Sequence, residues 1–203
     1  DVISDKNVLL NPEKVNVLSF DTVSAVIALE TIRNAFIAII AAAIGIFLYI
    51  WWAFRNVPSP FRYGVAAIIA LLHDTIIVIG LFAMLGELFG VEVNTMFLIA
   101  LLTVIGYSVN DTIVIFDRIR ENIATYPNYT LSEIADLSVA ESFGRSLNTS
   151  FTLIFAILAL LLFGGPTIKI FLWVLLAGVI VGTYSSMAIA TNFLITWETK
   201  KFK

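Results

Sequence analysis

The residue best placed to do chemistry in this chain is an aspartate inside an apolar run. Asp111 lies in the stretch Met96 to Phe116, long enough to cross a bilayer, and shares it with Tyr107 and Asn110. A carboxylate at membrane depth costs from about 2.5 to more than 10 kcal/mol depending on the reference state, so it normally faces protein or a wet cavity and is a functional-site candidate. At about 100° per residue, Thr103, Gly106, Tyr107, Asn110, Asp111, Asp117 and Arg118 fall in one helical arc, with Leu102, Ile105, Val109, Ile113 and Phe116 outside it. The arc is expected to face partners and the remainder lipid.

A partner for the carboxyl is suggested by the fourth apolar segment, which opens with Arg145 and carries Asn148, Thr149 and Thr152 on one helical face with Ala156 and Ala159. Asp111 sits about five residues, or about 8 Å, inside the end of its span, within reach of a snorkelling arginine. A guanidinium that moves away from a buried carboxyl lets it take up a proton, and its return expels that proton. That is the minimum apparatus for coupling proton flow to movement, and one elementary charge crossing 100 mV supplies about 2.3 kcal/mol. A static ion pair that fixes helix register is the alternative.

The second segment is interrupted near its middle by His73 and Asp74, the latter on one face with Ala67 and Ala70. Asp74 is either a second relay carboxyl or an interhelical hydrogen bond that fixes packing, and His73 can be satisfied by a hydroxyl or a carbonyl. Small residues at Gly106, and at Gly178, Gly182 and Ser186 with four-residue spacing, are candidate helix-packing positions. No nucleophile with a base, no metal-ligand cluster and no phosphate loop is present, so neither an enzyme nor a cofactor is expected.

These residues must be positioned by membrane helices. Of 203 residues, 60% are hydrophobic and 13% charged, where a soluble domain carries about 25% charged residues. The net charge of −3 points to no nucleic acid. Zero cysteines exclude disulfides and thiolate metal sites. Five spans are expected, at about 32–54, 63–89, 95–116, 147–165 and 170–197, forming an all-α polytopic bundle over residues 25–203. Within the connection 117–146, Thr130 to Glu133 has capping-box spacing, which predicts a short helix on the membrane surface. Residues 1–24 read as the end of an extracytoplasmic domain, with an alternating strand at Lys14 to Phe20.

Eight of the twelve Lys and Arg residues fall on one side of these spans, at Arg55, Arg62, Arg118, Arg120, Arg145, Lys200, Lys201 and Lys203. That side is expected to be cytoplasmic, with the N-terminal stretch outside. An external N-terminal stretch before an odd number of spans implies a sixth span upstream, separated from these by an external domain.

GYSVNDTIVIFDRIREN (Gly106 to Asn122), RSLNTSFT (Arg145 to Thr152), FGGPTIK (Phe163 to Lys169), GVIVGTYSS (Gly178 to Ser186) and ALLHDTIIVIG (Ala70 to Gly80) resemble the SecF family of bacterial protein-export membrane subunits. The resemblance implies six transmembrane helices in a resistance-nodulation-division (RND) type half-bundle, in the inner membrane. It also implies pairing with a SecD-like subunit, association with the Sec translocon, and use of the proton gradient to help move exported unfolded polypeptide. Protons would be the coupling ion, with Asp111 on their path and Arg145 its partner. A half-unit of a related small-molecule or lipid exporter, and a purely structural membrane scaffold, remain as alternatives.

Overall fold

A computed structural model of the chain describes residues 25–90 and 95–199. The strand expected at Lys14 to Phe20 lies outside them. Six α-helices occur among the described residues: α1 (Ala25–Ala53), α2 (Pro60–Phe89), α3 (Thr95–Thr125), α4 (Leu131–Phe163), α5 (Lys169–Ser185) and α6 (Thr191–Thr199). A 3-10 turn, Pro166–Ile168, precedes α5, and a π-helical turn, Ser186–Ala190, joins α5 to α6 in one continuous rod. Five of these helical stretches are long and apolar enough to cross a membrane, and no strand occurs among the described residues. Two compact units divide the chain, Asp1–Asn34 and Ala35–Lys203, and the bundle packing lies within the second.

Local chemistry sets the helix ends. Pro60 occupies the first turn of α2, where its missing N–H costs nothing, and Gly90 closes that helix at φ 65°, a left-handed conformation natural to glycine. Thr130 and Glu133 make the predicted capping box, each side chain satisfying the other's backbone N–H. The helix it starts is not the short surface element expected from the charged connection. It runs unbroken for 33 residues to Phe163, about 50 Å at 1.5 Å per residue. Between Leu131 and Phe163 there is no proline and a single glycine, Gly144, so nothing stops propagation across the polar stretch.

Helix α3 is the axis of the bundle, packed against α2, α4 and α5. Three layers stack along it. One apolar cluster gathers Ile50, Phe54, Tyr63, Phe116, Ile119, Ile134 and Leu194, and another gathers Val78, Phe82, Phe97, Leu101, Val104, Ile157, Leu172 and Val179. Between these positions along the helices lies a belt of buried polar residues: Asp74, Ser108, Asp111, Thr112, Ser146, Ser150, Thr183 and Ser186.

The outward surface is apolar at Phe36, Ile40, Ile76, Met84, Leu88, Phe155 and Leu162. On α3 the sequence arc is split. Ile105, Val109 and Phe116, expected against lipid, are buried in the bundle, whereas Thr103, Gly106, Asn110 and Asp117 are exposed. The period marks two faces but not which one is core, because lipid tails and protein interior are equally apolar.

Candidate functional site

The polar belt centres on Asp111, which is 7% exposed. One carboxylate oxygen, Oδ1, accepts a hydrogen bond from Ser146 Oγ of α4 at 2.6 Å. The other, Oδ2, accepts from Ser186 Oγ at the start of the π turn. Three helical elements therefore meet at one carboxyl.

Their approach is set by small residues. A Cβ added at Gly178 would lie 2.1 Å from Val104 Cγ2, and one at Gly182 3.1 Å from Ser108 Cβ. Gly178, Gly182 and Ser186 thus run along α3 opposite Val104, Ser108 and Asp111. Two absent side chains bring the helices close enough for the third, a serine, to reach the acid. At the π turn the backbone carbonyl of Ser186 accepts from Thr191 Oγ1 at 3.2 Å, five residues on. A π turn inserts a residue into the helix and re-aims the side chains beyond it, a feature frequent at functional sites.

One turn away, Tyr107, Ser150 and Thr183 form a hydroxyl cluster. Tyr107 OH is 2.7 Å from Ser150 Oγ and 3.4 Å from Thr183 Oγ1, and the latter two are 2.6 Å apart. Ser150 also reaches the Ser146 carbonyl at 2.8 Å and Thr183 the Val179 carbonyl at 2.7 Å. Each hydroxyl has one proton to donate, so these five contacts cannot all be made at once.

Arg145 does not join this site. It is exposed on α4 and makes no ion pair with Asp111 or any other acid among the described residues. It borders a surface hollow with Tyr49, Val114, Asp117 and Arg120. The expected Asp111–Arg145 contact is replaced by the serine contacts for a rotational reason. Ser138, Ser142, Ser146 and Ser150, spaced by four, take the buried face of α4, and Arg145 stands about 100° away from Ser146. Asn148, Thr149 and Thr152 are exposed beside it.

The remaining candidates divide in the same way. Tyr107 belongs to the hydroxyl cluster, Asn110 is exposed, and Gly106 is exposed with nothing within 4 Å of an added Cβ. Gly106 therefore packs against no other helix among the described residues. Asp74 is buried separately from Asp111, its Oδ2 accepting from Ser108 Oγ and its Oδ1 lying 3.0 Å from His73 Nδ1. Ser108, Ser146, Ser150 and Thr183 are functional candidates that the sequence reading missed. The four-residue spacing of serines on α4 was the available signal.

Residues 3–200 match the family described as "Protein export membrane protein SecD/SecF, C-terminal". The chain belongs to this family. The protein translocase subunit SecF of Thermobaculum terrenum is 50% identical over 91% of this chain, and that of Anaerolinea thermophila 44% identical over 100% of it. The chain spans 58% and 66% of the length of these two relatives. The protein translocase subunit SecDF of Brucella abortus is 38% identical over 89% of the chain and 23% of its own length. Among solved structures, the crystal structure of SecDF in a super-membrane-facing form superposes with a TM-score of 0.77 at 33% identity, covering 89% of this chain and 23% of that one. The chain is thus an integral membrane bundle of RND-like fold, and its Asp111 site lies between α3, α4 and the π turn.

Proposed function

We propose that the chain is the membrane part of a SecF-like subunit that uses the proton gradient to assist protein translocation through the Sec translocon. The observation that carries this reading is Asp111, a carboxyl buried in a helix long enough to cross a membrane and held by two hydroxyls, with no cation paired to it among the described residues. A carboxyl bonded only to hydroxyls can exist charged or neutral without leaving an unsatisfied hydrogen-bonding group, since each hydroxyl can donate to a carboxylate or accept from an acid, and with no cation beside it the charged form is not held in place. Tyr107, Ser150 and Thr183 supply hydroxyls one turn away, so the proton route is Asp111 with this cluster at its side. Protons are the coupling ion.

Arg145 acts in this reading from the exposed face, together with Asn110. Both stand beside a polar and small-residue surface, Thr103 and Gly106 on α3 with Asn148, Thr149, Thr152 and Ala156 on α4, that lies open on a helix pair of membrane length. Such a surface suits a protein partner far better than lipid. A SecD-like subunit is the partner of choice, because a relative named SecDF holds the matching segment within one chain. The exported unfolded polypeptide is the substrate, the bacterial inner membrane the location, and the basic end of the bundle faces the cytoplasm.

Replacing Asp111 by Asn in the intact complex is the direct test. Proton-gradient-dependent enhancement of secretion should be lost while the complex still assembles. Secretion that responds to the gradient as strongly as wild type overturns the reading.

A further inference from the structure

A hollow of about 220 Å³ opens at the basic end of the bundle, where the starts of α2 and α4 meet the ends of α3 and α6. Its walls are Ile123, Leu131, Ile134 and Leu194, with Pro58 of the α1–α2 turn. Tyr63, Tyr129 and Glu198 bring polar groups to it, and none of the three takes part in the Asp111 site.

Tyr63 gives the hollow its chemistry. The residue is 3% exposed, its ring stacked on Phe54 at 5.4 Å and set edge-on to Phe116 at 5.3 Å. Its hydroxyl makes no hydrogen bond among the described residues, although a buried tyrosine normally finds a partner for it. Every fully sealed side-chain oxygen or nitrogen of the described residues does have a partner. The Tyr63 oxygen is therefore not sealed. It is the open tip of a covered side chain, and the hollow is what it opens on.

Glu198 is the second polar wall. Its side chain is 16% exposed and gives Oε2 to Arg62, leaving Oε1 without a partner among the described residues. Arg62 is engaged by that carboxylate and by the Trp197 ring, whose centre lies 5.7 Å from its guanidinium carbon. Tyr129, exposed and stacked on Tyr126, stands at the rim.

A phenol oxygen and a free carboxylate oxygen between apolar walls call for a donor with several protons on an apolar stem. An ammonium has three N–H groups and no acceptor, and an aliphatic stem can lie on apolar surface while its charged head stays with polar groups. A guanidinium suits the hollow less well, because it pairs best with both oxygens of a carboxylate and Glu198 has one to offer. Charge agrees with a cation: among the lining residues and their sequence neighbours, Arg62 is positive and Glu133 and Glu198 are negative. Size decides what carries it. The hollow is smaller than the roughly 300–1,000 Å³ of small-molecule sites, so it holds one side chain rather than a free metabolite, in the way a protein interface seats an anchor residue.

We propose that this hollow is an anchor site for a lysine side chain of a protein partner that meets the basic end of the bundle. The ammonium lies between the Tyr63 hydroxyl and Glu198 Oε1, and the stem runs along the apolar walls. The site goes beyond the proton-coupled reading of Asp111 and does not depend on it.

Carbodiimide coupling tests the proposal, since it forms an amide between a carboxylate and an amine in contact with it. The purified complete complex with its translocon is treated and Glu198 is mapped by mass spectrometry, with Lys200→Arg, Lys201→Arg and Lys203→Arg removing the nearest amines of this chain. Glu198 should be joined to a lysine of another chain. Tyr63→Phe, which keeps the ring packing, should lower that yield about fivefold, the worth of one hydrogen bond, while coupling at Asp136, exposed outside the hollow, stays unchanged. No amide at Glu198, an equal yield in Tyr63→Phe, or an amide formed only when n-butylamine is added to the solution overturns the proposal.

Discussion

Two serine hydroxyls and no guanidinium hold Asp111, and that difference changes what the site can do. An arginine stabilises the charged carboxylate and opposes its protonation, whereas a hydroxyl serves either form by rotating about its C–O bond. Ser146 and Ser186 come from different elements, so the two bonds also report on how α4 and the π turn stand against α3. Removing one donor from a buried charged acceptor costs about 1–3 kcal/mol. Ser146→Ala combined with Ser186→Ala should therefore lower gradient-driven secretion in reconstituted vesicles, with assembly retained. A doubly substituted complex that secretes as wild type would show that these hydroxyls do not govern the acid. Serine carries little weight in hydropathy patterns, which is why Ser146 was not visible beside the more conspicuous Arg145 and Ser186 was visible only as a packing position.

Among the elements, the α3–α5 seam decides the geometry, and glycines decide the seam. At Gly178 an added methyl would meet three carbons of Val104 at 2.1 to 2.8 Å. Val104 is β-branched and fully buried, so it cannot swing aside. Gly178→Ala should cost about 1–3 kcal/mol by overpacking and, by pushing α5 from α3, weaken the Ser186 bond to Asp111. Gly106→Ala, at an open position, should leave the thermal midpoint of the purified chain within the small range typical of surface changes, about 0.5 kcal/mol. Equal midpoints for the two variants would remove the seam from the account. This seam was legible in the sequence, because Gly178, Gly182 and Ser186 announce close approach by their spacing alone. The five spans and the capping box at Thr130 were legible for the same reason: each is a local pattern. The direction of the α3 faces was not, since burial and lipid exposure demand the same side chains. Nor was the length of α4, where Glu133, Asp136, Glu141 and Arg145 resemble a loop in composition yet break no helix.

At the scale of the whole molecule, outward-facing side chains sort into two populations with different solvents. Most of the surface along the helices is apolar, as at Ile76, Met84 and Leu162, and needs only acyl chains. The exposed positions Thr103, Gly106 and Asn110 of α3 and Asn148, Thr149 and Thr152 of α4 are polar or small; the three threonine hydroxyls bond carbonyls of their own helices, which leaves the amides of Asn110 and Asn148 as the groups that call for protein or water. Because these 203 residues contain no cysteine, single cysteines can be placed among them and labelled with a photoactivated crosslinker in a complete complex whose remaining chain carries none or has had its own replaced. Thr103→Cys and Thr152→Cys should crosslink to the SecD-like subunit, whereas Met84→Cys and Leu162→Cys should capture lipid. If the polar positions capture lipid as efficiently as the apolar ones, no partner covers that face. The proton route would then have to be built from Asp111, its serines and the Tyr107 cluster alone.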